Sequence, residues 1–386
     1  MHKEDVFKLK DKIQRYILNK WFLMGCKGSV VVCTGVGKSR IGVLAAEYVA
    51  KITNYDCKIL IITPTEEIRD NAWVEEFTKW NSEFTFKTCV KIMCIRSACK
   101  LIGEHFDLVI CDEYHNTIKP IDSEKESVFM QFYFNNTYNK LLALSAYIPS
   151  KKRYWAYKIA PLVEYVSIKK AVELGLIAPF NIYNLPIEAS EQELKILKYL
   201  NKKIEYEKGN GYKPWKTIGK RREFLSKLSS RYKVCKQISD YFGDKKGIIF
   251  TEYISDVINL QEMFGESAVS VHSKMKKKVR TSALSRYNSG EVNRIISAKA
   301  LNEGVNLTNT SFGIAVNANG TIKDLVQECG RILRLDEEGK KASYIRLYLP
   351  DSQDYSWLMS SQAISDSIFV NSVEELFEQI EKNSYA

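Results

Sequence analysis

Residues 29–40, SVVVCTGVGKSR, match most of the phosphate-binding pattern G-x-x-x-x-G-K-[ST]. Gly37, Lys38 and Ser39 fill the last three positions of the pattern, whereas Val32 stands where the pattern has its first glycine. In a loop of this kind, backbone N–H groups at a helix N-terminus surround a phosphate, the lysine adds a positive charge and the hydroxyl binds Mg²⁺. The segment therefore indicates a nucleotide site. A plain glycine-rich turn between a strand and a helix is the alternative.

A pair of carboxylates follows an apolar segment further along the chain. Residues 108–111 are apolar and predict a buried strand, and Asp112 and Glu113 come directly after it. Ligands bind at the carboxyl ends of the strands in open α/β folds, so both carboxylates are expected at that edge of a sheet. We predict that Asp112 binds Mg²⁺ together with Ser39, and that Glu113 orients or deprotonates the attacking water. Acidic turns after strands are common, and it is the phosphate loop upstream that favours this interpretation.

These residues need strands and helices to position them, and apolar segments alternate with helical patterns along the chain. The segments that predict strands are residues 29–34, 58–64, 89–94, 106–111 and 141–146 in a first set, and residues 247–253, 268–272, 294–298, 313–317 and 343–349 in a second set. A long, mostly helical and basic stretch separates the two sets. Alternation of this kind predicts the α/β class, with parallel sheets covered by helices on both faces.

Two helices are predicted from the spacing of their apolar residues. The helix after the phosphate loop has one apolar face, formed by Ile41, Leu44, Ala45, Tyr48 and Val49. Near the C-terminus, Ser372 and Glu375 form a capping-box pair that opens a helix with the apolar residues Val373, Leu376, Phe377 and Ile380. We expect this second helix to cover a sheet face. Residues 207–215, EKGNGYKPW, contain Gly-Asn-Gly and a proline and predict a loop.

Composition narrows the classes of function. The 386 residues carry a formal net charge of +11, which favours an anionic partner such as nucleic acid, although solvated lysines also keep ordinary proteins soluble. No apolar segment is long enough to span a membrane, and the N-terminus lacks the layout of a signal peptide. The nine cysteines include no C-x-x-C pair, and the spacing of Cys89, Cys94 and Cys99 does not bring metal ligands together. The cysteines therefore predict reduced thiols in an intracellular protein.

The order of several motifs resembles one family. Asp112-Glu113-Tyr114-His115 resembles the DExH box of superfamily 2 helicases and translocases. The other segments that resemble this family's motifs follow in its order: residues 61–73 (motif Ia), 95–100 (Ib), 144–147 (III), 247–253 (IV), 297–307 (V) and 327–334 (VI, with the form Q-x-x-G-R-x-x-R). The resemblance covers roughly residues 10–350 and is strongest toward compact phage and viral DExH helicases that remodel branched DNA.

This resemblance implies two tandem RecA-like domains, covering residues 1–170 and residues 171–386. The second would begin with a basic helical lead-in at about residues 188–240, before motifs IV to VI and the C-terminal helix. The resemblance further implies ATP and Mg²⁺ as cofactors. The expected partner is single-stranded, forked or branched DNA, with RNA as an alternative. We expect a monomer in the cytoplasm, or in the host cytoplasm if the chain is viral, without a membrane partner.

The resemblance also assigns residues to roles. The predicted ATP-binding residues are Gln14, Thr34, Gly35, Gly37, Lys38, Ser39, Arg40, Gly304 and Asn306. The predicted catalytic residues are Lys38, Glu113, Gln327, Arg331 and Arg334, of which the two arginines would meet the developing charge on the γ-phosphate. The predicted contacts with the nucleic-acid backbone are Pro64, Thr65, Arg96, Ser97, His272, Ser273, Lys299 and Asn302. Two basic runs, residues 216–236 and 273–280, face either nucleic acid or solvent.

The chain departs from the family pattern at three positions. Val32 replaces the first glycine of the loop, and the family tolerates apolar residues there. Tyr147 replaces the usual threonine of motif III, and Asn306 replaces the acid of motif V. The predicted function is a DNA-stimulated ATPase that translocates and unwinds or branch-migrates DNA. The alternatives are an RNA helicase, a nucleic-acid-binding regulator with a vestigial ATPase site, and a motor subunit of a restriction or packaging machine.

Overall fold

The computed structural model describes residues 3–64, 72–121, 128–298, 307, 309–317, 341–361 and 367–384. The chain divides into two compact units between Ile177 and Ala178. Each unit contains one parallel sheet with helices packed on it. No helix among the described residues is long and apolar enough to cross a membrane.

The sheet of the first unit has six parallel strands in the order β3-β2-β4-β5-β1-β6. These strands are β1 Lys27–Val32, β2 Ile59–Thr63, β3 Val90–Cys94, β4 His105–Cys111, β5 Thr137–Ser145 and β6 Leu162–Val166. The central strands are apolar and buried on both faces, as expected for a parallel sheet covered by helices. Because every pairing is parallel, all carboxyl ends meet at one edge, where β1 leads into the glycine loop and β4 leads into Asp112.

Eight helices are described in the first unit. They are α1 Lys3–Leu23, α2 Lys38–Ile52, α3 Trp73–Lys79, α4 Glu83–Cys89, α5 Ile95–Ala98, α6 Gln131–Asn135, α7 Ser150–Ile159 and α8 Ile168–Glu173. The prediction of α2 and its apolar face is confirmed at Ile41, Leu44, Ala45 and Val49, but burial extends beyond that face. All residues from Arg40 to Ala46 are buried, whereas Tyr48 is exposed. The reason is that α2 contacts α1, α3, β4 and β5, so that its N-terminal half is covered on several sides.

The sheet of the second unit has seven parallel strands in the order β13-β7-β12-β11-β8-β10-β9. These strands are β7 Phe180–Pro186, β8 Lys246–Thr251, β9 Ala268–His272, β10 Arg294–Ala298, β11 Thr310–Ala315, β12 Ala342–Tyr348 and β13 Ile368–Phe369. Its described helices are α9 Glu191–Gly209, α10 Trp215–Ser226, α11 Ser229–Tyr241, α12 Ile254–Phe264, α13 Lys277–Ser289, α14 Gln353–Ser361 and α15 Val373–Ser384.

The C-terminal helix α15 is confirmed. Leu376 and Ile380 are buried in the core of the second unit, and Val373 and Phe377 pack against that core. The Ser372 hydroxyl accepts a hydrogen bond from the Glu375 N–H at 3.2 Å. The Glu375 carboxylate accepts hydrogen bonds from the backbone and side-chain amides of Asn371. The cap therefore begins one residue earlier than a regular capping box.

Every segment that the sequence predicts as a strand overlaps a strand, and three strands were missed. β6 lies at the sheet edge and alternates buried and exposed residues, and β7 contains two asparagines and a proline, so neither has a continuous apolar run. β13 has only two residues. The stretch between the two strand sets is mostly helical, as predicted, and it also contains β6 and β7. The predicted loop at residues 207–215 is shorter, because α9 ends at Gly209 and α10 begins at Trp215.

Candidate functional site

The glycine loop joins β1 to α2 at the carboxyl edge of the first sheet. β1 ends at Val32, so this residue belongs to the buried strand and the turn itself begins after it. Gly35 and Gly37 have φ angles of 93° and 98°, in the left-handed region that favours glycine. A Cβ on Gly37 would lie 2.3 Å from Nε2 of Gln14, which leaves no space for a side chain. The loop thus requires glycine at these two positions.

Gln14 of α1 contacts this loop directly. Its side chain is 5 % exposed, and its Nε2 donates a hydrogen bond of 2.8 Å to the Val36 carbonyl. The bond attaches the turn between two left-handed glycines to the buried face of a long helix. Gln14 therefore lies at the glycine loop, and its hydrogen bond holds the Val36 backbone in place.

Lys38 lies beside the carboxylate pair that follows β4. Its Nζ is 3.9 Å from Oε1 of Glu113, and both side chains are largely shielded from solvent. The Glu113 backbone N–H donates to Oδ1 of Asp112 at 2.9 Å. Glu113 itself has a φ of 47°, a left-handed conformation that few residues other than glycine adopt. The structure therefore brings together the lysine and both acids that the sequence assigned to one site.

Asp112 has a partner that sequence reasoning missed. The indole Nε1 of Trp73, a residue that is 1 % exposed, donates to Oδ2 of Asp112 at 3.1 Å. A Cβ on Gly42 would lie 2.5 Å from the Trp73 ring, so the glycine lets α2 approach α3 closely. Trp73 is the last residue of the segment resembling motif Ia. Its large side chain with an N–H donor was the one feature of the sequence that could have indicated this contact with Asp112.

The electrostatics of Asp112 reflect its surroundings. Its pKa is raised to about 7, mainly by burial and then by the neighbouring Glu113 carboxylate, against the opposing effects of Lys38 and the Trp73 indole. The second oxygen of Glu113, Oε2, is buried and accepts no hydrogen bond from any described residue. Buried carboxylate oxygens usually have partners, so this arrangement is suited to a cation and a polar ligand.

His115 connects the acidic turn to the end of β5. Its Nδ1 lies 2.8 Å from the Ser145 hydroxyl and 3.4 Å from Oε2 of Glu113. The Ser145 hydroxyl donates to the Tyr147 carbonyl at 2.9 Å, and Lys152 of α7 donates to the His115 carbonyl at 2.8 Å. The fourth residue of the DExH-like box thus contacts the segment that resembles motif III. The contact at Tyr147 is made by its backbone carbonyl and does not involve its phenol side chain.

Arg40 lies one turn into α2, with its guanidinium stacked on the Trp80 ring at 3.9 Å. Arg40 is 8 % exposed, and its Nε and Nη1 are buried without a hydrogen bond to any described residue. Burial lowers its pKa. The ring of Phe7 in α1 stacks in turn on Trp80, with centroids 5.4 Å apart. Arg40 therefore lies near the loop, and its Nε and Nη1 groups can donate hydrogen bonds to a ligand.

The predicted nucleic-acid contacts in the described part of the chain follow the carboxyl ends of strands. Pro64 follows β2, and Arg96 and Ser97 are exposed on the short helix after β3. In the second unit, His272 ends β9 and Ser273 follows it, exposed. The Nδ1 of His272 is buried without a hydrogen bond to any described residue. Each unit thus places these residues at one edge of its own sheet.

Eight predicted residues lie outside the described part of the chain. They are Thr65, Lys299, Asn302, Gly304, Asn306, Gln327, Arg331 and Arg334. The remaining predicted ATP-binding residues, Thr34 and Ser39, lie in the loop and at the start of α2. The eight cysteines in the described ranges are free, and those ranges contain no group of three or more His, Cys, Asp or Glu side chains suited to a metal ion.

Two family models match the chain, one on each unit. The model described as "Type III restriction enzyme, res subunit" matches residues 10–150, which include the glycine loop and the acidic turn. The model described as "Helicase conserved C-terminal domain" matches residues 230–336. A curated relative, the DNA 3'-5' translocase XPB2 of Sulfurisphaera tokodaii, is 23% identical over 90% of this chain and 84% of its own length. Together these matches show an ATP-dependent nucleic-acid helicase, and they support a place in superfamily 2.

Solved structures share the fold of this helicase at low sequence identity. Saccharomyces cerevisiae Dbp5 bound to RNA and ADP BeF3 matches with a TM-score of 0.65 and 14% identity, over 96% of the helicase and 93% of the Dbp5 chain. The ATP-dependent Type ISP restriction-modification enzyme LlaBIII bound to DNA matches with a TM-score of 0.59 and 14% identity, over 97% of the helicase and 32% of that chain. The helicase is therefore an ATP-dependent nucleic-acid enzyme with a two-domain RecA-like α/β fold.

Proposed function

We propose that this helicase is a DNA-stimulated ATPase that translocates along DNA and unwinds or branch-migrates it. The observation that supports this most is the group formed by Lys38, Asp112 and Glu113 at the carboxyl edge of the first sheet. A lysine and two carboxylates beside a glycine loop match the requirements of phosphoryl transfer to water.

The residues present fit ATP and Mg²⁺. The glycine loop leads into the N-terminus of α2, where backbone N–H groups can surround phosphates, and Lys38 is the first residue of that helix. The Ser39 hydroxyl and the Asp112 carboxylate would hold Mg²⁺, which commonly uses one or two carboxylates together with substrate phosphates. When bound, the cation neutralises phosphate charge. We also propose that Gln14, Thr34 and Arg40 contact the nucleotide, with Gly304 and Asn306 contributing from the segment resembling motif V.

Glu113 is the proposed general base. Its Oε2 is buried without a hydrogen bond to any described residue and can accept a proton from a water molecule. Its Oε1 lies 3.9 Å from Lys38, so a negatively charged ligand that draws the lysine away would free the whole carboxylate. His115 lies between Glu113 and Ser145, so that a change in the charge of Glu113 would alter the contact of His115 with the end of β5. Gln327, Arg331 and Arg334 are proposed to stabilise the charge that develops during hydrolysis.

DNA is the proposed track. The relative from Sulfurisphaera tokodaii is named a DNA translocase, and the net charge of +11 supports a polyanionic partner. Pro64, Thr65, Arg96 and Ser97 in the first unit are proposed to contact the DNA backbone, as are His272, Ser273, Lys299 and Asn302 in the second. A preference for branched substrates, a monomeric state, a cytoplasmic location and the DExH subtype of phage and viral helicases are part of the same proposal. The free cysteines support a reducing compartment.

One titration tests the proposal. Phosphate release is measured against single-stranded, duplex and forked DNA and against RNA of matched sequence. We expect hydrolysis to rise with DNA, most with the forked substrate. Stimulation by RNA alone would assign the chain to the RNA helicases, in line with the RNA bound in the Dbp5 structure. ATP binding without hydrolysis on any strand would indicate a regulator with a vestigial site, and mass measurement of a larger assembly would indicate a motor subunit.

A further inference from the structure

The outer part of the α9–α10 pair in the second unit is an exposed basic and aromatic surface. We call residues 198–220 the arm. The arm contains seven lysines and two glutamates, a net charge of +5. It also presents four aromatic rings to solvent: Tyr199 is 61 % exposed, Tyr206 69 %, Tyr212 68 % and Trp215 73 %. Rings of this size are costly to expose, and nothing in the site described above uses them.

The arm is held together by its own two helices. Ile204 and Thr217 are its buried residues, and the Thr217 hydroxyl donates to the Glu207 carboxylate at 2.8 Å. The core cluster of the second unit includes Leu197, which precedes the arm, and Leu225, which follows it. Of the described residues between these two, Phe224 alone packs against that cluster. α9 has 19 residues, which corresponds to about 28 Å of helix. The arm therefore extends from the unit as a helical hairpin with its turn at residues 210–214.

The base of the arm rests on the carboxyl edge of the second sheet. Arg222 of α10 forms a two-point ion pair with Glu252, which follows β8, with a shortest distance of 2.6 Å. The Ser226 carbonyl accepts a hydrogen bond of 3.4 Å from Asn317, which follows β11. Asn317 also accepts a hydrogen bond of 3.1 Å from the Glu252 N–H. The arm thus starts at the edge that carries His272, the proposed DNA contact at the end of β9.

The chemistry of the arm distinguishes among possible partners. Protein interfaces are enriched in tyrosine and tryptophan but depleted of lysine at their centres, whereas the arm alternates rings with lysines. Single-stranded nucleic acid is bound by this combination, because aromatic rings stack on bases and lysines neutralise phosphates. A continuous duplex hides its base faces, so only unpaired bases or a duplex end can meet the rings.

We propose that the arm binds unpaired nucleotides of the DNA substrate, with Tyr212 and Trp215 at its turn stacking on bases and Lys213 and Lys216 contacting phosphates. The inference rests on the proposed function, because it takes the nucleic-acid partner as given. It adds a binding element outside the helicase motifs, one that reads whether bases are unpaired. The arm is therefore the part of this chain expected to favour a forked end over a closed duplex.

The test compares the parent with the double variant Tyr212→Ala and Trp215→Ala. The affinity of each full-length protein is measured for a forked DNA and for a closed duplex of equal length, without nucleotide. We expect the double variant to bind the fork about 10- to 100-fold more weakly and the duplex within about threefold of the parent, given the usual contribution of base–aromatic stacking. Tyr154→Ala, which removes an exposed ring beside a lysine in the first unit, is the matched control and should change neither affinity.

Three further measurements separate stacking from charge and from misfolding. 2-Aminopurine at the unpaired side of the fork should show a fluorescence change on binding to the parent and to Trp215→Phe with Tyr212 intact, and lose that change in the double variant. Lys213→Gln with Lys216→Gln should reduce the slope of log affinity against log salt by about 1.4 for a single strand. Thermal unfolding of the double variant is expected at the parent temperature, because both rings are exposed.

The outcomes keep this inference apart from the proposed function. If DNA stimulates hydrolysis by the parent, and the double variant binds the fork with parent affinity or keeps the 2-aminopurine change, the arm does not stack on bases and the inference is wrong. If no DNA stimulates hydrolysis by the parent, the proposed function is wrong. This result is obtained without the arm variants, so it is distinct from a failure of the inference about the arm.

Discussion

Two buried arginines, one in each unit, differ in how completely they are hydrogen-bonded. Arg231 of the second unit is fully buried, and the carbonyls of Leu225, Val316 and Leu347 accept hydrogen bonds from it, while Asp354 forms an ion pair with it. Arg40 of the first unit is 8 % exposed, and its Nε and Nη1 have no hydrogen bond to a described residue. Burial is similar, whereas the number of partners is not.

The same contrast holds for the acids. The Asp354 carboxylate pairs with Arg231 and accepts a hydrogen bond from the Leu349 N–H, and the Asp354 N–H donates to the Ser352 hydroxyl. Glu113 has one buried oxygen without a hydrogen bond to the described residues and sits in a left-handed conformation. Strained backbone and incomplete hydrogen bonding are typical of functional sites, and complete networks are typical of structural ones. A buried charge therefore identifies a site only when its partners are incomplete.

The largest effect is expected from breaking the complete network. Arg231→Met would leave the Asp354 carboxylate buried without its cation, and we expect the free energy of unfolding to fall by about 3–5 kcal/mol. Arg286→Met is the control, because its pair with Glu291 is exposed and should contribute less than about 1 kcal/mol. Denaturant unfolding of both variants measures the difference. Equal losses would contradict the structural role of Arg231.

Lys38→Ala breaks the incomplete network instead. The lost contact between an ammonium and a phosphate should weaken ATP binding by about 10- to 100-fold, in line with hydrogen bonds to charged groups. Stability should change little, because the ion-pair distance from Lys38 to Glu113 is as long as 3.9 Å. Lys51→Ala, on the exposed end of the same helix, controls for loss of charge and should bind ATP as the parent does. Nucleotide titration followed by fluorescence distinguishes the two.

Trp73→Phe sharpens the comparison within the first unit. The variant keeps an aromatic ring and removes the hydrogen bond to Asp112, so we expect the Mg²⁺ concentration for half-maximal ATP binding to rise about tenfold. Trp21→Phe is the control, because its indole donates at 2.9 Å to the Leu141 carbonyl away from the acids. Both should lose similar stability. A rise in the Mg²⁺ requirement for both variants would show that packing is responsible.

Gln14→Leu gives the smallest expected effect. The bond from Gln14 to the Val36 carbonyl is a neutral one, so its loss should weaken nucleotide binding by only about 2- to 10-fold. If the proposed contact of Gln14 with the nucleotide is made to the adenine base, ATP binding falls and GTP binding does not. An equal fall for both nucleotides would assign Gln14 to holding the loop.

Much of the fold could be predicted because its strands are continuous apolar runs. β1, β2, β4 and β8 lie inside parallel sheets, so most of their residues are buried and each contains an uninterrupted apolar run. β6 was missed because an edge strand is half exposed and contains Glu164. β7 was missed because Asn184 is buried there by bonds to Ser367 and Arg346, distant residues that a local pattern does not contain.

The site could be predicted as far as its residues are local in sequence. The turn of Gly35 and Gly37 and the carboxylates after β4 are each specified by a few adjacent residues, and the parallel sheet brings them together. Trp73 and Ser145 were not assigned a role, because their contacts with Asp112 and His115 depend on how α3 and β5 pack. Tertiary contacts of this kind have no local periodicity.

The most direct test of the central claim is a paired measurement of ATP affinity and phosphate release for Glu113→Gln with forked DNA present. Lys38 and Asp112 remain in this variant, so ATP should bind as it does to the parent. Glutamine cannot accept a proton from water, so hydrolysis should fall by about 100- to 10,000-fold. Glu104→Gln, an exposed acid ahead of β4, should match the parent in both measurements. Hydrolysis by Glu113→Gln at the parent rate would contradict the assignment of Glu113 as the general base.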